Sequence, residues 1–148
     1  MAEGGCLCGA VRYRLDGPPL HADYCHCRMC QRAGGAPVVA WGTWPAERLT
    51  WLAGEPRTFA SSANGRRSFC PECGTPLTFV DDPAFVDVTL ASLDEPAAFA
   101  PEYHIWTMSR VPWLDTRDEL PRHAGSAPDA RPTHESRDAP PKGRRRTQ

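Results

Sequence analysis

Apolar and polar positions alternate along this chain in short runs separated by turn residues. Gly9–Leu15 sets Val11, Tyr13 and Leu15 on one face and Ala10, Arg12 and Arg14 on the other, the period of a half-buried strand. Asp16-Gly17-Pro18-Pro19 is a turn, because Gly and Pro fix the backbone torsions a reversal needs. Leu20–Cys25 reads as a second short strand. Cys27–Gln31 reads as a tight turn or one helical turn, closed by Gly34-Gly35. Pro37–Trp41 is strand-like and precedes a Trp44-Pro45-Ala46 turn.

The same punctuation continues. Leu49–Leu52 is short and apolar, Gly54-Glu55-Pro56 turns the chain, and Arg57–Ala60 is extended. Asn64-Gly65 then signals a hairpin into Arg66–Phe69. Leu77–Val80 pairs with Phe85–Leu90 across Asp81-Asp82-Pro83, and Glu102–Trp106 is a final strand. There is no internal repeat. Short strands at this spacing predict a mostly β domain of antiparallel strands. The 12 Gly and 16 Pro fit that reading.

The pattern stops near Arg122. Residues 124–148 hold no Leu, Ile, Val, Phe, Trp or Tyr and end in Lys142-Gly143-Arg144-Arg145-Arg146. Such a stretch buries too little to fold, so the expected organisation is one domain over 1–122 and a disordered basic tail over 123–148. The tail residues 122–148 carry seven Arg/Lys against three Asp/Glu, so within a formal net charge of −1 the rest of the chain is about −5. That acidic balance argues against nucleic acid as the partner.

The chemistry lies in seven cysteines, all within three clusters: Cys6-Leu7-Cys8, Cys25-His26-Cys27-Arg28-Met29-Cys30, and Cys70-Pro71-Glu72-Cys73. An odd count and the Cys-x-Cys spacing disfavour a disulfide framework. The spacing suits zinc, which takes thiolates at ~2.3 Å. Cys70 and Cys73 form a knuckle, with Pro71 fixing its turn and Gly74 free to take positive φ. Cys6 and Cys8, on one face of an extended run, complete a four-thiolate structural site. Cys25, Cys27 and Cys30 then make a three-thiolate site. An open fourth position would suit catalysis, and His21, His26 or His104 would instead close it as a second structural site. An open site of charge −1 favours a thiol that loses its proton on binding and then attacks a carbonyl.

At these residues the chain resembles the glutathione-dependent formaldehyde-activating enzyme family, which includes centromere protein V-like proteins. The similarity covers GCLCGAVRY at 5–13, YCHCRMCQRAGG at 24–35, SFCPECGTPLTF at 68–79 and PEYHIWTMSRVPW at 101–113, followed by DELP. The resemblance implies a small zinc-bearing β-tent-like fold and two zinc ions. It makes Cys6, Cys8, Cys70 and Cys73 the structural ligands and Cys25, Cys27 and Cys30 the catalytic ones. It also implies carbon–sulfur lyase chemistry, condensing formaldehyde with glutathione to S-hydroxymethylglutathione.

Glutathione carries two carboxylates and one ammonium. Arg28 and Arg32 beside the middle cluster, and Arg110, are the candidate contacts for it or for another small thiol. His104 is a candidate zinc-site lining residue or proton shuttle, while Trp106 and Trp113 are expected to pack. The acids Asp81, Asp82, Asp94, Asp115, Asp118 and Glu119 form no paired-carboxylate catalyst. A noncatalytic zinc scaffold is the rival reading. The N-terminus shows neither a basic region nor an apolar stretch, and no apolar run approaches a membrane span, so a cytoplasmic protein is expected.

Overall fold

A computed structural model describes residues 1–128. Ten strands and one helix follow in the order β1 (Ala2–Gly5), β2 (Arg12–Leu15), β3 (His21–Cys25), α1 (Arg28–Gly34), β4 (Val39–Pro45), β5 (Leu49–Ala53), β6 (Arg57–Ala60), β7 (Arg66–Phe69), β8 (Pro76–Val80), β9 (Phe85–Thr89) and β10 (Tyr103–Ile105). They form a three-stranded sheet, β1-β2-β5, and a seven-stranded sheet, β10-β3-β4-β9-β8-β7-β6. The fold is mostly β, as the alternation predicted.

The local hairpins arise where turn residues sit between apolar runs. β6 and β7 pair antiparallel around Asn64-Gly65, and β8 and β9 pair across the 81–84 turn. β4 and β9 lie inside the large sheet, so four of the five β9 residues are buried. Edge strand β6 is exposed throughout and carries Arg57 and Thr58, polar side chains that discourage further strand pairing. Between the sheets, Tyr13 and Leu15 of β2 meet Trp44 of β4, Leu77 of β8 and Val88 of β9, all fully buried. The outward arginines of β2 pair with acids on the surface, Arg12 with Asp94 at 2.5 Å. Aromatic and branched side chains on facing sheets supply the main folding drive through lost apolar surface.

Three features depart from expectation. Residues Ala2–Gly5 form a strand, although they lack any alternation. β10 runs parallel to β3, with Ile105 opposite Cys25, whereas every other strand pair among the described residues is antiparallel. The ordered chain also runs past residue 122. His123 N–H donates to His104 O at 2.9 Å, Trp106 N–H donates to Gly125 O at 3.0 Å, and Ala127 is buried beside the cysteine-bearing core. The remaining tail, 129–148, lies outside the described residues. Among the described residues no helix is long and apolar enough to cross a membrane.

Candidate metal centres and active site

The first centre is built from two matched turns. Cys6 to Cys8 is a turn rather than the extended run expected, and Gly9 N–H returns to Cys6 O at 3.0 Å. Cys70 to Cys73 repeats this, with Gly74 N–H donating to Cys70 O at 2.9 Å. Each turn ends on a left-handed glycine, Gly9 at φ 78° and Gly74 at φ 76°, torsions that cost other residues energy. A tetrahedral ion with ~2.3 Å bonds spaces its sulfurs about 3.8 Å apart. Cys6 and Cys8 Sγ lie 3.5 Å apart and Cys8 and Cys70 Sγ 3.8 Å apart. All four sulfurs lie within 4.8 Å of one another. The donor set therefore fits zinc. Hydrogen bonds from the Thr75 hydroxyl and backbone hold the Cys73 thiol down to about 5, so one ligand is thiolate at neutral pH.

The second centre sits where β3 runs into α1. Cys25 ends β3, and Cys27 caps α1 with its sulfur accepting from Cys30 N–H at 3.3 Å. That bond satisfies one of the amide groups every helix start leaves free. The helix closes at left-handed Gly35. All three sulfurs are buried and lie within 4.8 Å of one another. Burial pushes the Cys25 thiol well above its ordinary value, and Cys27 and Cys30 push it the same way. Three buried thiols cannot ionise together without a cation, and a bound zinc ion would supply one. Among the described residues no His, Asp or Glu joins this cluster.

None of the three expected histidine alternatives joins the cluster: His21, at the start of β3, lies with its ring 6.0 Å from that of Tyr103, and the other two pair with each other. His26 Nε2 and His104 Nδ1 are 2.8 Å apart, and His104 Nε2 reaches the Asp118 carboxylate at 3.1 Å. His104 is fully buried, stacked on Tyr24. Burial, followed by His104 and Arg122, holds His26 below the usual imidazole range. Gln31 of α1 ties this wall together, donating to His26 O at 2.7 Å and Ser109 O at 3.1 Å. Trp106 packs in the cysteine-bearing core as expected, and among the described residues it is the non-glycine one with positive φ, 56°. Trp113 does not pack; it is 73% exposed. The motif's second tryptophan lies in the irregular segment after β10, outside any strand or helix.

A cavity of about 360 Å³ opens beside Cys30, lined also by Val39, Trp41, Phe59, Phe69 and Arg67. Arg28 and Arg32 lie on α1 but do not line it. Arg28 donates to Gln31 Oε1 instead, and Arg110 is exposed. The residue that sequence reasoning missed is Arg67. It is 8% exposed, its Nη2 is 3.6 Å from Cys30 Sγ, and its guanidinium lies 4.6 Å from the Phe79 ring centroid. The available signal was its place two residues before Phe69 in a hairpin strand, on the inward-facing period.

The description "Glutathione-dependent formaldehyde-activating enzyme" belongs to the family whose profile matches residues 1–109, a stretch that contains both sulfur centres. The chain belongs to this family. Relatives include a protein from Halomonas elongata whose name provisionally assigns it the same activity. It is 27% identical over 126 residues, covering 78% of this chain and 80% of that one. An uncharacterized lyase of Schizosaccharomyces pombe is 30% identical over 94 residues, 60% of this chain and 66% of its own. A Rhodobacter sphaeroides crystal structure shares the fold at 21% identity and a TM-score of 0.53, covering 81% of this chain and 98% of that one. Family membership is consistent with the two sulfur sets, since both fall within the matched region.

Proposed function

We propose that this protein is a zinc-dependent lyase-type enzyme that makes and breaks small thiol–aldehyde adducts, as a carbon–sulfur lyase does. Family membership and a lyase-named relative support the enzyme class. The observation that carries the finer reading is the asymmetry of the two centres. One offers four sulfurs within 4.8 Å and the other three, with a cavity at Cys30. The four-sulfur set is then structural and the three-sulfur set catalytic. A zinc ion bound there supplies the positive charge that lets a thiol ionise near neutral pH.

In the forward direction the thiol sulfur attacks the aldehyde carbon and a C–S bond forms. The carbonyl π pair moves to oxygen, which takes up the proton the thiol released. Cys25, Cys27 and Cys30 would hold the metal, and their burial excludes water from the sulfur side. Glutathione and formaldehyde are the pair the family's name suggests. Arg28 and Arg32, on the helix that carries Cys30, would attract an anionic thiol from outside the cavity. Seven cysteines, none in a disulfide, suit a reducing compartment, and the cytoplasm is the proposed location.

The test couples metal content to rate. Wild type should hold about two zinc ions per chain if both sets bind metal and should form adduct faster than the uncatalysed reaction. Cys27→Ser should lose one ion and the rate enhancement together. A wild type with no acceleration for any thiol–aldehyde pair would make the chain a zinc scaffold.

A further inference from the structure

The cavity beside Cys30 is larger than a one-carbon aldehyde needs and offers one charged partner for the three charged groups of glutathione. At about 360 Å³ it falls near the lower end of the roughly 300–1,000 Å³ that small-molecule sites span. Its walls are Val39, Trp41, Phe59, Phe69 and Pro76, and Arg67 is the charged side chain among its lining residues. Phe59, on edge strand β6, is 58% exposed, so an aromatic face is open to an incoming ring. Glutathione would need cations for two carboxylates and an acceptor for its ammonium. The lining holds one cation and no acid.

Arg67 is itself incomplete. Its side chain is more than nine-tenths buried, yet its Nε has no hydrogen-bond partner among the described residues. A guanidinium carries five donors in a fixed fork. Leaving one buried and unpaired is costly. The Nη2 contact with Cys30 and the Phe79 face hold the group at the edge of the three-cysteine cluster. An oxygen bonded to the reacting carbon would meet that fork.

We propose that this cavity takes the apolar, ring-sized body of a thiol–aldehyde adduct, and that Arg67 donates a hydrogen bond to the oxygen derived from the carbonyl. The proposal rests on the thiol–aldehyde reading of the site and names its substrate class. As the C–S bond forms and the carbonyl pair moves to oxygen, negative charge develops on that oxygen, beside the wall that Arg67 lines. Arg67 stays protonated throughout, and the oxygen takes the proton the thiol gave up. The ring can arrive on either reactant, bonded to the adduct carbon when the aldehyde brings it and joined through the sulfur when the thiol does.

The test uses the zinc-loaded full chain with three pairs: benzaldehyde with 2-mercaptoethanol, phenylmethanethiol with formaldehyde, and glutathione with formaldehyde. One of the ring-bearing pairs should exceed the glutathione pair in kcat/KM by about tenfold or more, a difference well within what apolar pocket contacts give. Which one does so tells whether the aldehyde or the thiol brings the ring. Arg67→Gln should lower kcat on that pair about a hundredfold, the usual effect of losing an oxyanion donor. Ala33→Trp, from an exposed position on α1 that lines the cavity, should remove the preference even if Arg67→Gln folds poorly. Independently of turnover, phenylmethanol binding by calorimetry should weaken severalfold in both variants. A glutathione pair that matches the ring-bearing pairs, or phenylmethanol binding unchanged by Ala33→Trp, overturns the proposal while leaving the thiol–aldehyde reading intact. No acceleration with any pair overturns both.

Discussion

His104 Nδ1 lies 2.8 Å from His26 Nε2, with both rings buried between β3 and the segment that follows β10. The Asp118 carboxylate can only accept, so His104 Nε2 carries its proton toward Asp118 at 3.1 Å. A neutral His104 then accepts at Nδ1, and His26 donates from Nε2. This fixes the ring that sits between Cys25 and Cys27 in sequence. It also explains why a histidine in the cysteine cluster is not turned toward the metal site. Its other nitrogen, Nδ1, has no partner among the described residues.

Removing His104 therefore disturbs the second centre from behind. His104→Ala leaves a cavity and an unpaired His26 donor, at a cost of about 3 kcal/mol. The expected outcome is a lower urea midpoint and weaker zinc retention by the three-cysteine set, with the four-cysteine set still loaded. Equal zinc content and an unchanged midpoint would show that the His26–His104 pair does not position the cysteines. Cysteine-directed labelling under mild chelation separates the two sets, since Cys8 is exposed and Cys25, Cys27 and Cys30 are buried.

The left-handed glycines that close the two turns of the four-cysteine centre, Gly9 and Gly74, invite a second test. A Cβ at Gly9 or at Gly74 would meet nothing within 4 Å, so a Gly→Ala change there acts through backbone torsion alone. Left-handed torsions cost other residues roughly 1–2 kcal/mol. Gly9→Ala and Gly74→Ala should each lower the unfolding free energy by about that amount, and each should weaken zinc at the four-cysteine set. An Ala variant as stable as wild type would mean the turns do not need positive φ.

Where the sequence was readable, the reason was local. Asn64-Gly65 and the 81–84 turn each join strands a few residues apart, so short-range chemistry decides the pairing. The cysteine sets were readable because ligand spacing limits which sulfurs meet. Cys6 and Cys8 were expected on an extended run and lie on a turn, yet the same four sulfurs converge. β1 was not readable, because Ala2–Gly5 has no side-chain pattern and becomes a strand by pairing with β2. The parallel β10–β3 pair joins residues about eighty positions apart, and no local signal announces it. Arg67 was hidden for a related reason: a charged residue in a hairpin reads as solvent-facing until the Cys30 cluster is placed beside it.

The sulfur sets should separate in their effect on folding. Cys70 is fully buried and belongs to the set that joins the N-terminal turn to the β7–β8 turn, more than sixty residues on. Zinc binding is worth roughly 10–16 kcal/mol in small structural sites, as much as the ~5–15 kcal/mol stability of a typical domain. Cys70→Ser should therefore lose cooperative unfolding at 25 °C. Cys27→Ser should keep it, since a serine hydroxyl at the helix start can still accept from Cys30 N–H. Near-ultraviolet circular dichroism distinguishes them. Comparable loss in both would make the second centre structural too.

Acid should release the wall behind the second centre. The Asp118 carboxyl is held below its ordinary value: burial raises it, but the His104 hydrogen bond, the Leu120 amide and Arg122 lower it further. A carboxyl depressed in the folded state stabilises the protein above its unfolded pKa of ~3.9 and loses that contribution as pH falls through the lower folded value. The contribution is therefore complete at neutral pH and disappears below about pH 4. Asp118 is about a third exposed, so solvent screening keeps the effect modest. Asp118→Asn should be less stable than wild type at pH 7, and the two should converge as pH falls below 4. Zinc loss in acid acts on both chains alike, so their difference isolates the Asp118 carboxylate's contacts with His104 and Arg122. A difference that stays constant across this range would mean the carboxylate's charge plays no part in holding His104.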